Sequence, residues 1–94
     1  MSLRVALSVP ADARFARTVR DVAVRFAEVS GCPKADAEHV GRAVDDAISG
    51  VMASAGQTGS DAAVDVRLEA EDDRLSVEVR CGDDRRHVRH PITD

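Results

Sequence analysis

Aromatic residues are nearly absent from this chain of 94 residues, which has no tryptophan, no tyrosine and two phenylalanines. Its core must therefore be built from Val, Leu, Ile and Ala, which fill less volume than aromatic side chains. A chain this short buries roughly 60–65% of its unfolded surface, so the core is thin. We therefore expect a protein partner or a homodimer, because a second apolar face would stabilise the fold.

Other absences narrow the class of protein. Two cysteines, Cys32 and Cys81, are too few and too far apart for a disulfide framework. No apolar run approaches the roughly 20 residues of a membrane helix, and the N-terminal segment Met1–Pro10 alternates instead of forming a signal peptide. The formal net charge is −4, whereas nucleic-acid binding favours a basic surface. These features predict a cytoplasmic protein with no membrane and no nucleic-acid partner.

Three segments alternate apolar and polar residues with a period of two, which is typical of half-buried β-strands. The first covers Leu3–Val9 and is ended by Pro10. The second covers Val64–Ala70 and the third Leu75–Cys81, with the polar turn Glu71–Asp73 between them. Because so short a turn joins them, the last two strands are predicted to pair antiparallel.

Two amphipathic helices are predicted between the first and second strands. The first has Asp12 as its N-cap and ends at Ser30-Gly31, where glycine supplies a left-handed cap. The second is predicted from Lys34 to Ser54, followed by a loop at Gly56–Ser60. Apolar residues recur at helical spacing on both: Phe15, Val19, Val22, Phe26 and Val29 on the first, and Val40, Ala43, Val44, Ala47, Ile48 and Val51 on the second.

The predicted order is β-α-α-β-β in one domain spanning residues 1–94. Since every strand alternates, the sheet has one buried face, and both helices must cover it. The fold class is therefore α+β, a two-layer α/β sandwich with two helices on one face of a small sheet. Residues 85–94 carry the basic sequence RRHVRH without periodicity and are predicted to be an irregular tail.

The acidic and histidine side chains are not predicted to form a carboxylate dyad or a metal site. Adjacent helix residues point about 100° apart, so Asp45 and Asp46 do not form a dyad that shares a proton. The histidines, His39, His87 and His90, do not have the spacing of a zinc site, and no metal is predicted.

The sequence allows more than one interpretation of Cys81 and of the RRHVRH segment. Cys81 is either a small structural residue that ends its strand or a redox-active thiol beside a basic stretch. The RRHVRH segment is a solvated tail, a contact for an acidic partner or nucleic acid, or a contact for the acidic stretch Asp61–Asp73.

Two sequence words carry a resemblance to a known family. Residues 42–55 read RAVDDAISGVMASA on the second helix, and residues 79–83 read VRCGD at the end of the third strand. With the element order, these words resemble the histidine-kinase-like (GHKL) ATPase domain of bacterial anti-sigma-factor serine kinases. The resemblance covers Leu3 to Asp84, and it implies that family's sandwich fold in a shortened form without the lid over the phosphates.

The resemblance implies a nucleotide site, and each of its positions departs from the family's pattern. Asp46 stands where a helix glutamate positions or activates the attacking group. One turn later, Gly50 replaces the asparagine that holds Mg²⁺ in the family, and glycine cannot ligate a metal. Cys81 replaces the aspartate that binds adenine, and Asp83 replaces a glycine. The site is therefore interpreted as degenerate, with Asp46 as a catalytic remnant and no cofactor.

Three functions are consistent with the sequence. The first is a non-catalytic regulatory module, similar to an anti-sigma factor, that binds a sigma factor or an antagonist protein. The second is an ATP-binding anti-sigma-factor serine/threonine kinase that uses magnesium and a substituted site with Asp46 and Asp83. The third is a small structural α/β homodimer of unrelated role. By resemblance, the contact candidates of the first are four arginines, which are equally well read as a solubilising helix face: Arg14, Arg17, Arg20 and Arg25.

Overall fold

A computed structural model describes residues 2–58 and 63–92 of the chain. The order of its elements is β-α-α-β-β-β, with two helices and a four-stranded antiparallel sheet. The predicted two-layer α+β sandwich is confirmed, with one strand more than expected. The elements are β1 (Leu3–Pro10), a 3-10 turn (Ala13–Phe15), α1 (Ala16–Val29), α2 (Lys34–Thr58), β2 (Ala63–Ala70), β3 (Arg74–Cys81) and β4 (Asp84–Pro91).

The sheet has the order β1-β2-β3-β4, so β1 and β4 are its two edges. Leu3 pairs with Ala70 at one end of β1, and Pro10 pairs with Ala63 at the other. The period-two pattern places alternate residues of β2 and β3 on the buried face, as the sequence predicts. Both helices lie on that face, and among residues 2–58 and 63–92 no helix covers the opposite face of the sheet.

The irregular tail predicted for residues 85–94 is wrong over Asp84–Pro91, which form β4. Gly82 and Asp83 make a two-residue turn, in which Cys81 pairs with Asp84. Gly82 has a φ of 60°, and glycine is favoured at the first position of such hairpin turns. The strand lacks an apolar alternation because, of the residues it turns toward the helices, only Val88 is apolar. The backbone pairing with β3 therefore decides its conformation.

The helix ends follow the sequence closely at three of four places. The Asp12 carboxylate accepts a hydrogen bond from the Arg14 N–H at 3.0 Å and caps the 3-10 turn that leads into α1. Gly31, with a φ of 108°, ends α1 as predicted. Helix α2 begins at Lys34 but continues to Thr58, beyond the predicted end at Ser54; the rest of the predicted loop lies outside the described residues.

Aliphatic side chains of both helices and the inner sheet face form the core, without a large aromatic cluster. The largest fully buried side chains are Ile48, Leu68, Leu75, Val19, Val40, Val44, Val51, Val64, Val66, Val77 and Val79. Helix α2 lies over β3 and β4, and α1 packs along α2 and reaches β2. Strand β1 is covered less completely, because on its inner face Val9 is buried whereas Val5 is 42% exposed.

Candidate functional site

The four nucleotide-site positions lie on two elements that pack together, α2 and the β3–β4 hairpin. Asp46 and Gly50 are one turn apart on α2; the first is exposed and the second half-buried. Cys81 is 8% exposed at the end of β3, on the face turned toward the helices. Asp83 is exposed in the β3–β4 turn. Gly50 has no side chain, Cys81 is buried, and Asp83 lies in a solvated turn. These three residues therefore do not line a polar pocket together with Asp46.

Arg86 occupies the space above Gly50, and the sequence analysis did not single it out. It pairs with Val79 across the hairpin and so extends from the inner face of β4 toward α2. A Cβ atom built on Gly50 would lie 3.2 Å from its Nη1 atom and 3.3 Å from its Cζ and Nη2 atoms. Gly50 thus leaves room for the guanidinium of Arg86 to lie directly against the helix backbone.

Asp84 holds this arginine from the same face of β4. The Arg86 Nε atom lies 3.3 Å from the Asp84 Oδ1 atom, with the two side chains 48% and 27% exposed. The crevice between α2 and the hairpin therefore contains an ion pair of this chain. Among residues 2–58 and 63–92 there is no group of three His, Cys, Asp or Glu side chains able to hold a metal ion.

The four candidate arginines are all exposed, and their surroundings differ. Arg14 is committed to Asp12, whose Oδ2 atom accepts hydrogen bonds from its Nε and Nη2 atoms at 3.1 and 2.8 Å. These bonds lower the pKa of Asp12 and raise that of Arg14. The stem of Arg20 lies against α2 beside Gly41, whereas Arg25 borders a groove next to β1. Arg17 is exposed on α1.

Two histidines of the basic segment in β4 lie close to carboxylates of other elements. His87 Nε2 lies 3.4 Å from Glu78 Oε2, on the open face of the sheet. His90 is on the inner face, 3.8 Å from the Asp36 carboxylate at the start of α2. Its ring centroid is 6.5 Å from that of His39. This segment is a strand docked on α2, and the interpretation as a solvated tail is wrong for Asp84–Pro91.

Both cysteines are buried free thiols. Burial raises the pKa of the Cys32 thiol, and the Asp36 carboxylate raises it further. A raised pKa lowers the thiolate fraction at neutral pH, which makes this thiol less reactive. Cys81 is buried among the apolar residues of the inner sheet face, as its structural interpretation predicts.

The raised pKa of Cys32 predicts a pH-dependent stability. The native state holds the thiol proton more tightly than the unfolded chain, so this contribution is complete below the ordinary pKa of 9.0 and is lost as pH rises through the folded-state value. We expect the urea midpoint of the parent protein to fall more steeply above about pH 9 than that of Cys32→Ala. Parallel curves for the two proteins from neutral to alkaline pH would contradict the raised pKa.

Several depressions lie elsewhere on the described surface, and two of them differ in chemical character. One, of about 360 Å³, is on the open sheet face, where the small side chains of Ala6 and Ser8 leave room beside Asp65, Arg67, Glu78 and Arg80. Its charges alternate in sign, so it favours neither anions nor cations. The other is an apolar groove of about 330 Å³ between β1 and α1, which the sequence analysis missed. The sequence does not predict the groove, because the groove depends on the position of β1 at the edge of the sheet.

No known protein family matches the chain, and no curated protein matches it at a significant level. None of the helices, over the residues that the structure describes, is long and apolar enough to cross a membrane.

Proposed function

We propose that this chain is a non-catalytic regulatory module that binds a protein of the sigma-factor or antagonist class in the cytoplasm, and that its nucleotide site has been lost. The observation that carries the proposal is the packing of Arg86 over Gly50. The crevice where the resemblance implies a nucleotide holds a guanidinium that belongs to the chain itself.

The chemistry of phosphoryl transfer argues against the kinase alternative. Its catalysis depends on positioning and on metal ions that neutralise the charge of the phosphates. Gly50 offers no metal ligand, and Cys81 is a buried thiol where the family has a carboxylate for adenine. Asp46 is an exposed carboxylate without the partners that would make it a base for catalysis. An enzymatic role would need all of these functions from other residues.

The surface that remains for partner binding is the outer face of α1. Arg17 is the candidate chosen for the test because it is exposed, whereas Arg14 is paired with Asp12 and the stem of Arg20 lies beside α2. An exposed arginine contributes to binding by electrostatic steering and by bidentate bonds to carboxylates. The partner is therefore expected to present an acidic surface.

Calorimetric titration with purified sigma factors and antagonist proteins encoded beside this chain tests the proposal. We expect saturable binding, weakened about tenfold or more by Arg17→Glu, because reversing one contact charge removes an attraction and adds a repulsion. Arg67→Glu, on the open face of the sheet, is the matched control and should leave binding unchanged. If none of these proteins binds, the structural homodimer of unrelated role becomes the better explanation.

A further inference from the structure

We propose that β1 pairs antiparallel with β1 of a second copy of this chain, about a two-fold axis at Ala6. The two four-stranded sheets would then join into one continuous sheet, with all helices on the same face. This inference does not depend on the proposed function, because it concerns a surface away from the hairpin crevice and from Arg17.

The two edges of the sheet differ in how they are protected. Edge strand β4 carries five basic side chains, and a second copy would repel it: Arg85, Arg86, His87, Arg89 and His90. Edge strand β1 carries one charged residue, Arg4. Proteins block unwanted pairing at sheet edges with charges, prolines and bulges. Within the described sheet, β1 has only Pro10 at its end, and its pairing with β2 is regular over all eight residues.

An apolar groove lies directly beside this edge. Leu3 and Val5 of β1 line one side, and Val22, Phe26 and Val29 of α1 line the other. Val5 and Val29 are the large hydrophobic side chains that stay exposed, at 42% and 66%. A partner that filled this groove would remove its apolar side chains from water, which is favourable. An open edge and an apolar groove therefore occur together.

The sequence of β1 is self-complementary. A two-fold axis at Ala6 places Leu3 opposite Val9 and Val5 opposite Leu7 of the second copy. All four residues point toward the helices, so the apolar alternation continues across the junction. On the open face, Ala6 meets Ala6, which lets the strands approach without a clash.

Charge complementarity favours this register over those with the axis at Val5 or at Arg4. With the axis at Ala6, Arg4 lies opposite Ser8 of the second copy, and Ser8 pairs with Asp65 within that copy. The Asp65 side chain is 52% exposed, and its Oδ2 atom lies 4.0 Å from the Nη2 atom of Arg80 in the same copy, which is a loose contact. Asp65 can therefore also form an ion pair with Arg4 of the other copy. An axis at Val5 would instead place Arg4 opposite Ala6, which pairs with Arg67, and an axis at Arg4 would oppose two arginines.

A second copy would also cover the apolar groove beside β1 in both chains. Since the helices of both copies lie on the same face, each α1 borders the junction with Val22 and Val29. The isologous contact buries the exposed valines of both chains, whereas a foreign strand would have to supply its own apolar alternation. Arg25 lies at the border of the groove and stays in solvent.

Cysteine cross-linking tests the register. Paired residues of antiparallel strands have Cα atoms about 4.5–5.5 Å apart, within the range of a disulfide. We expect Ala6→Cys to form a covalent dimer on mild oxidation. His87→Cys, on the other edge, is the matched control and should stay monomeric on a non-reducing gel, as should the parent, whose cysteines are buried. Cross-linking through His87→Cys but not Ala6→Cys would overturn the proposal.

Sedimentation equilibrium tests the dimer without any covalent bond. We expect the parent to dimerise in the micromolar range and Val5→Lys to weaken the dimer at least about 100-fold, because each contact would bury two unpaired ammonium groups. Thr18→Lys, exposed on α1, should dimerise like the parent. The proposal would be overturned if the parent were monomeric at millimolar concentration or if Val5→Lys dimerised like the parent. Tight binding of a strand from another protein at β1, in place of a second copy, would also overturn it.

Discussion

Gly41→Ala should destabilise the protein, by up to about 2 kcal/mol, although alanine is the better helix former. A Cβ atom on Gly41 would overlap the Cγ2 methyl of Val24, where α2 crosses α1. Overpacking of this kind costs about 1–3 kcal/mol, and the gain in helix propensity returns about 1 kcal/mol. Val24 is β-branched and cannot rotate away easily. Urea denaturation, with its midpoint and slope, measures the change.

Gly50→Ala is the matched control within the same helix. Its Cβ atom would meet the guanidinium of Arg86, the flexible end of a side chain that is 48% exposed. We therefore expect Gly50→Ala to be neutral or slightly stabilising. The double variant Gly41→Ala with Val24→Ala should lose less stability than the sum of the two single changes. Equal midpoints for Gly41→Ala and Gly50→Ala would contradict the close approach of α1 and α2.

A chain that ends at Asp83 should lose cooperative folding altogether. Removing β4 opens the edge of β3 and takes away Val88, which packs against the core, and the contacts of β4 with α2. Domains of this size have a free energy of unfolding of roughly 5–15 kcal/mol, so losing an entire strand is enough to unfold one. Circular dichroism with thermal denaturation should show no sigmoidal transition.

A chain that ends at Ile92 is the control for this truncation. It keeps all of β4, and we expect its thermal midpoint to match that of the full chain. Val88→Asp, which places a carboxylate toward the helices, should lower the midpoint strongly without shortening the strand. A sharp transition near the parental midpoint in the chain ending at Asp83 would mean that residues 84–92 are a dispensable tail.

The sequence was most informative where side chains alternate or recur with a clear period. Strands β1, β2 and β3 each place apolar residues on one face, and α1 combines a long apolar stripe with a glycine cap. Local patterns of this kind report which face is buried. They were sufficient to predict the order of the first five elements and the two-layer fold.

Strand β4 was missed because its conformation comes from pairing with β3, and its own pattern is weak. Its inner face carries Asp84, Arg86, Val88 and His90, three of which are polar. These residues are tolerated there because Arg86 packs on Gly50 and His90 lies by Asp36. The Gly82-Asp83 turn was the local signal that could have predicted a hairpin.

The candidate site was predictable in part. The sequence identified Gly50 as a position with no metal ligand, but it did not identify the side chain that occupies the space. Arg86 is distant from Gly50 along the chain, and only the β3–β4 register places the two together. The apolar groove beside β1 escaped prediction for the same reason, since Val5 and Val29 look like ordinary core residues in their own elements.

Loss of the nucleotide site is the central claim of this account. Equilibrium titration with ATP and with ADP in the presence of Mg²⁺, by calorimetry, tests it most directly. An Arg86→Ala variant belongs in the same experiment, because it empties the space above Gly50 but supplies no metal ligand. The account predicts no saturable binding to either protein at millimolar nucleotide. Binding to the parent chain with a dissociation constant in the micromolar range would contradict it and would favour the kinase alternative.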